Sequence, residues 1–366
     1  MDTYSENPFT PTFGEVPIHL AGREDLLTRF DRAFNARSRR PELTTIITGA
    51  RGTGKTTILS RAARMARESG WVVAEVTAGP GMLEDVEMRT RKGAAHLVEA
   101  PSKARVASIG IPNLMSIELD GRADESGNWR LRMERLLDQI EAAEAGLLVT
   151  VDEIDGSLED MVTLASVYQH FVREDRRAGL LMAGLPHNVS VLLNDKTVSF
   201  LRRAHLEPLS RISDAEVSAA IEKTVTDGGR SISRECADAA AAAVGGFAFM
   251  LQLVGYNIWE AAPSRKEILI QDIEWGVRAA RAQLEARVFK ATYSELSATD
   301  LRYLEAMLVD AGDSRSGDIA KRMGVSTSQA AQYRRRLIES GVIGERRRGV
   351  VGFDLPYFKE YLLSLR

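Results

Sequence analysis

Two short stretches of the sequence gather glycines, a lysine, hydroxyls and carboxylates at close spacing. The first is Gly49-Ala50-Arg51-Gly52-Thr53-Gly54-Lys55-Thr56, followed by Thr57, which meets G-x-x-x-x-G-K-[ST] at every fixed position. Its glycines let the backbone wrap closely, so successive N–H groups point at phosphate oxygens. A helix beginning at Gly54 and Lys55 adds the positive end of its dipole. Lys55 is then placed to reach the β- and γ-phosphates of ATP, and the Thr56 hydroxyl to bind Mg²⁺.

The second stretch is Leu147-Leu148-Val149-Thr150-Val151-Asp152-Glu153, an apolar strand ending in two acids about 90 residues further on. In a parallel sheet the C-terminal end of such a strand lies beside the phosphate loop. Asp152 is the candidate Mg²⁺ ligand. Glu153 is the candidate general base for the attacking water. Asp155 reads as structural.

The elements that must position these groups follow from the pattern around them. Residues 44–49 form a short β-branched run that reads as a buried strand, and 55–68 as a helix ended by Gly70. Strands are expected at 71–76, 147–151, 180–184 and 204–206, with helices at 82–98, 129–142 and 158–177. A hairpin is expected from 105–108 and 114–119. The alternation implies α/β architecture: a P-loop NTPase parallel sheet with helices on both faces. From 213 to 290 the pattern is helical only.

Together these residues resemble the AAA+ and STAND-type P-loop ATPases, in particular prokaryotic ATPases similar to origin-recognition proteins. Leu20-Ala21-Gly22-Arg23-Glu24 resembles the box ahead of the first strand, which implies that Ile18 and Leu20 lie at the adenine. Residues 200–210 resemble the segment that carries the arginine finger, implied here to be Arg203, with Arg202 as competitor and a rim salt bridge as the alternative role. Gly246-Phe247-Ala248-Phe249-Met250-Leu251-Gln252 resembles the lid-helix box. Two departures stand out. Ala248 replaces the usual Pro and no Arg opens that helix. The strand at 180–184 ends without the usual polar residue, His187 being the nearest. Binding with slow, switch-like hydrolysis is the implied behaviour.

Residues 297–366 carry their own pattern. A first helix runs through Leu301, Leu304, Met307 and Leu308, and a second spans 316–322. Ser326 and Gln329 make a capping box for a third, and strands at 342–343 and 350–353 follow. This is a winged helix-turn-helix by pattern, after an all-helical lid. Gln329 and Gln332 are candidates for reading base edges of double-stranded DNA. Arg335, Arg336, Arg346, Arg347 and Arg348 are candidates for its phosphates. Docking of a protein partner on the same module is the alternative.

Charge agrees with this division. Residues 315–348 hold nine Lys and Arg against three Asp and Glu, in a chain of net charge −3. A basic module on an acidic body suits an anionic partner. The single cysteine, Cys236, excludes a disulfide framework and a Cys-based zinc site. The polar first residues do not read as a signal peptide, and no apolar run is long enough to cross a membrane, so a cytoplasmic protein is expected. The expected divisions are an arm at 1–17, a nucleotide-binding core at 18–208, a lid at 209–292 and the winged helix at 293–366. The expected function is an ATPase coupling ATP or ADP state to DNA binding, with a homo-oligomer or a protein partner compatible with it. The alternative is a STAND-type signalling switch, whereas a metabolic kinase is disfavoured because no acceptor site is evident.

Overall fold

A computed structural model describes residues 6–12, 15–99, 128–156 and 158–366. The expected hairpin at 105–108 and 114–119 lies outside them.

The first half alternates as the sequence implies. In order come α1 (Glu24–Asn35), β1 (Thr44–Thr48), α2 (Lys55–Glu68), β2 (Val72–Thr77), α3 (Met82–Glu99), α4 (Trp129–Ala142) and β3 (Leu147–Asp152). Then follow α5 (Glu159–Arg173), β4 (Ala178–Gly184), α6 (Pro186–Asn194), a 3-10 turn at Ser199–Arg203 and β5 (His205–Pro208). The strands form one sheet in the order β2-β3-β4-β1-β5, every neighbour parallel. Successive side chains of a strand face opposite ways, and each face has its own core. Ile46, Val149 and Met182 pack against Val86 of α3, Leu137 of α4 and Leu164 of α5. Ile47, Leu148 and Leu181 pack against Phe30 of α1 and Ile58 and Ala62 of α2. With both faces covered, β3 reads as a near-continuous apolar run and β1 as a β-branched one, neither of them alternating.

The helical region holds α7 (Asp214–Asp227), β6 (Ser231–Ile232), α8 (Arg234–Val244), α9 (Ala248–Glu260), β7 (Glu267–Ile268) and α10 (Ile270–Leu284). A π-helical turn at Glu285–Phe289 carries α10 into α11 (Lys290–Glu295). The all-helical expectation misses only the parallel β6–β7 pair, whose two-residue strands are too short to show a period.

Residues 7–10, within the expected arm, are packed on this region. Phe9 is buried against α9, where a side chain at Gly255 would lie 2.3 Å from its ring. The Thr10 amide donates to Gln252 Oε1 at 3.0 Å, and Asn7 Nδ2 donates to Glu260 Oε1 at 2.8 Å.

The last part holds α12 (Ala298–Met307), β8 (Ser314–Arg315), α13 (Ser316–Met323), α14 (Thr327–Glu339), β9 (Ile343–Arg347), β10 (Val350–Phe353) and α15 (Phe358–Ser364). Its three strands pair antiparallel in the order β8-β10-β9. Ser326 and Gln329 form the expected capping box of α14. Short β8 and the terminal α15 were not legible in the pattern. This module and the helical region share a single hydrophobic core. The Phe289 ring lies 5.5 Å from Phe358 and 5.3 Å from Tyr361, and Arg281 stacks 4.3 Å above Tyr357.

Candidate nucleotide site

The phosphate loop joins β1 to α2 at the C-terminal edge of the sheet. Gly54 opens α2 at φ +93°, a left-handed conformation that suits a residue without a side chain. The Lys55 ammonium folds back over the loop and donates to the carbonyls of Gly49 and Ala50, each at 2.9 Å. Burial holds its pKa down to about 8 against the upward pull of Asp152. Arg51 adds to the fall, while Glu153 and Asp354 oppose it.

The Thr56 hydroxyl donates to Asp152 Oδ2 at 2.6 Å, so a hard divalent cation has an oxygen donor from each stretch within reach. That donor pair fits Mg²⁺. Asp152 Oδ1 accepts from the Glu153 amide at 2.9 Å. Glu153 is exposed beyond the strand, with φ +53°.

A cavity of about 420 Å³ extends from the loop. Its floor is Arg51, Gly52, Thr53, Gly54, Lys55, Thr56 and Thr57. Leu20 lines it, together with Pro17, His19 and Arg23. Ile18 does not: it lies at a bend, 64% exposed and outside the lining. Thr10, Pro11 and Thr12 also line the cavity, as do Ile212, Phe247 and Leu251 of the helical region. The Phe249 amide, in the first turn of α9, donates to the Gly52 carbonyl at 3.3 Å, so the lid box touches the phosphate loop.

No sequence pattern announces the third wall. Ser340, Gly341 and Val342, between α14 and β9, line the same cavity with Leu355 and Pro356. Gly341 has φ +71°, and a side chain there would lie 2.8 Å from Arg51 Cδ. Only a glycine combines that conformation with so close an approach. His187 Nε2 lies 3.3 Å from Glu339 Oε1, which ties α6 to the end of α14. His187 therefore faces the C-terminal module. Across the end of β4 the Ile154 amide donates to the Ala183 carbonyl at 2.8 Å, and Asn188 Nδ2 donates to the Ile154 carbonyl at 2.8 Å.

Arg203 is exposed at the end of the 3-10 turn and has no hydrogen-bond or ion-pair partner among the described residues, so the alternative rim salt bridge is not formed. Arg202 Nε donates to the Leu193 carbonyl at 2.8 Å, which anchors it within its own subunit.

The nucleic-acid candidates divide. Gln329 Oε1 accepts from the Ser326 amide at 3.1 Å, so its side chain is bent back into the cap rather than outward. Arg336 pairs with buried Asp300 at 2.7 Å, and Arg346 with Asp354 at 2.6 Å. These two hold the module together instead of standing free. Arg335 pairs with Glu339 at 2.8 Å on the exposed helix surface. Gln332, Arg347 and Arg348 are exposed and without partners among the described residues. Arg347 borders an open cleft with Arg315, Arg346, Asp313 and Val350, between β8 and the β9–β10 hairpin.

Residues 19–182 match the model of an AAA ATPase domain, and residues 286–362 match a family described as a domain of unknown function. No curated protein matches the chain in sequence. Among solved structures it is similar to the Aeropyrum pernix ORC2 protein in its ADPNP–ADP complexes, with TM-score 0.53, 15% identity and 97% of each chain covered. It is similar also to Cdc6p from Pyrobaculum aerophilum, with TM-score 0.50, 15% identity and 97% of each chain covered. At such identity the likeness is one of fold, and its coverage takes in the helical region and the C-terminal module. With residues 19–182 matching the AAA ATPase domain and the phosphate loop in place, the protein is a P-loop ATPase, in a chain that follows the fold of the ORC2 and Cdc6 structures along nearly its whole length.

Proposed function

We propose that the protein is a slow, Mg²⁺-dependent ATPase that couples its nucleotide state to a DNA-binding winged helix-turn-helix. The division is core 18–208, lid 209–292 and winged helix 293–366. Lys55 binds the β- and γ-phosphates, and the loop amides cradle them. Mg²⁺, held by Thr56 and Asp152, would neutralise charge on the phosphate oxygens. Glu153 takes the proton of the attacking water. Arg203, exposed and without a partner among the described residues, is available to a site on a neighbouring copy.

Support for the coupling comes from one observation: residues 340–342, between the third helix and the wing, wall the nucleotide cavity and rest on Arg51 of the phosphate loop. A ligand can shift an equilibrium only by binding its states unequally. A nucleotide bound in this cavity meets the C-terminal module directly, so it has that means. On the module, Arg347 and Arg315 beside the open cleft, with exposed Arg348, are the phosphate contacts, and Gln332 is the base-edge contact.

A second function, a signalling switch whose C-terminal module meets protein rather than DNA, is favoured by the internal pairing of Arg336 and Arg346. Duplex DNA binding, measured with and without Mg²⁺-ATP at several salt concentrations, separates the two. Binding that falls with salt and responds to nucleotide supports coupling to DNA. Absence of binding at low salt rejects it in favour of the switch.

A further inference from the structure

We propose that Asn188 is a positioning residue for hydrolysis, holding Glu153 in the backbone conformation from which it acts; this rests on the ATPase role given above to Glu153.

Glu153 has φ +53°, in the left-handed region that a residue with a side chain disfavours. Such a conformation persists where its surroundings over-determine it. Three hydrogen bonds do so here. The Glu153 amide donates to Asp152 Oδ1 at 2.9 Å, and the next amide, of Ile154, donates to the Ala183 carbonyl of β4 at 2.8 Å. The third comes from the side chain of Asn188, whose Nδ2 donates to the Ile154 carbonyl at 2.8 Å. An amide oxygen turned toward that carbonyl would set two acceptors face to face, so the amide orientation follows from the chemistry.

The loop has little room to adjust around this bond. Ile154 is fully buried. A side chain at Gly156 would lie 2.5 Å from the Leu192 amide nitrogen and 2.9 Å from the Asn188 carbonyl, so the loop lies flat on α6. Asn188 thus fixes the peptide after Glu153 from an element 34 residues later in the chain. It acts at one remove: its own partner is a backbone carbonyl and not a reacting group. The end of β4 has no polar side chain, and this side-chain bond from α6 joins the backbone bond to Ala183 in fixing the loop that carries the acid pair.

Two variants and one control test the role. Asn188→Asp keeps the size but loses the donor when ionised, and Asn188→Ala removes the side chain. Both are expected to lower kcat for Mg²⁺-ATP hydrolysis about tenfold or more, since a small misplacement of a catalytic group costs up to about a hundredfold. ATP affinity by calorimetry and KM are expected to stay within about twofold. A merely structural role would move affinity, KM and kcat together. Asn188→Asp carries the test if Asn188→Ala fails to fold. Glu153→Gln is the control. If it abolishes turnover while both Asn188 variants keep wild-type kcat, or lose affinity along with kcat, the positioning role is rejected and Glu153 stands as the base. If Glu153→Gln keeps its rate, the assignment of Glu153 falls and this role with it.

Discussion

The Thr56 hydroxyl meets the Asp152 carboxylate at 2.6 Å, joining two stretches 96 residues apart. This contact makes one site of a glycine-rich loop and an acid-ended strand. β4 lies between β3 and β1 in the sheet, so the loop after β1 and the acids after β3 share one edge with a strand's width between them. A hydroxyl and a carboxylate at that separation form a donor set that a small hard cation prefers.

Lys55→Ala is expected to abolish tight ATP binding, read by calorimetry. The wild-type protein has a further signature. Its Lys55 pKa is lowered to about 8 by burial, so the lysine is charged below that pH and loses its proton as pH rises through it. ATP favours the charged form. Affinity should therefore be full below about pH 8 and decline above it, with proton uptake on binding near pH 8. Equal affinity well below and well above that pH would count against Lys55 as the phosphate-binding cation.

Glu153→Gln should retain ATP and cease to hydrolyse it. The amide fills the same space but cannot take the proton of water. Wild-type turnover in this variant would point to Asp155 instead.

Arg203→Ala should bind ATP normally and hydrolyse it poorly if Arg203 serves a neighbouring copy. Mixing it with Lys55→Ala protein should restore part of the activity, because mixed interfaces pair an intact loop with an intact arginine. Full activity of Arg203→Ala in a monomeric protein rejects that role.

Gly341→Ala places a side chain at φ +71° against Arg51. The left-handed backbone alone costs about 1–2 kcal/mol. The expected result is a lower melting temperature and faster hydrogen exchange at residues 340–342, as the loop withdraws from the cavity. Unchanged exchange would show that this approach does not constrain the module.

Arg347→Ala with Arg348→Ala should weaken duplex DNA binding and lower the slope of log K against log salt by about 0.9 for each phosphate no longer neutralised. Arg336→Ala should behave differently. Its partner Asp300 is buried, so removing the arginine should lower thermal stability and leave the salt slope unchanged.

Much of the core was legible because each element carried a local signal. The glycine spacing marked the phosphate loop, the apolar run of residues 147–151 marked a strand buried on both faces, and Ser326 with Gln329 marked the start of α14. What stayed dark is contact between distant segments. Nothing local to Gly341 announces Arg51, and nothing near Asn188 announces the carbonyl of Ile154. The same blindness hides the ion pair of Arg336, since a partner 36 residues away, as Asp300 is, leaves no mark on the helical pattern. Ile18 shows the limit of a motif read locally: it sits at a bend and points outward, while Pro17, His19 and Leu20 around it line the cavity.

The core shared by the helical region and the C-terminal module bears on how the chain unfolds. Phe289 lies between the two, its ring against Phe358 and Tyr361. A cut after residue 292 would leave that ring facing water and strip α15 of its partner. The two regions are thus one cooperative unit and should melt in a single transition, with the sheet domain free to melt in another. The family match at residues 286–362 begins within the π-helical turn that carries Phe289, so the matched segment includes the ring along with the module that buries it.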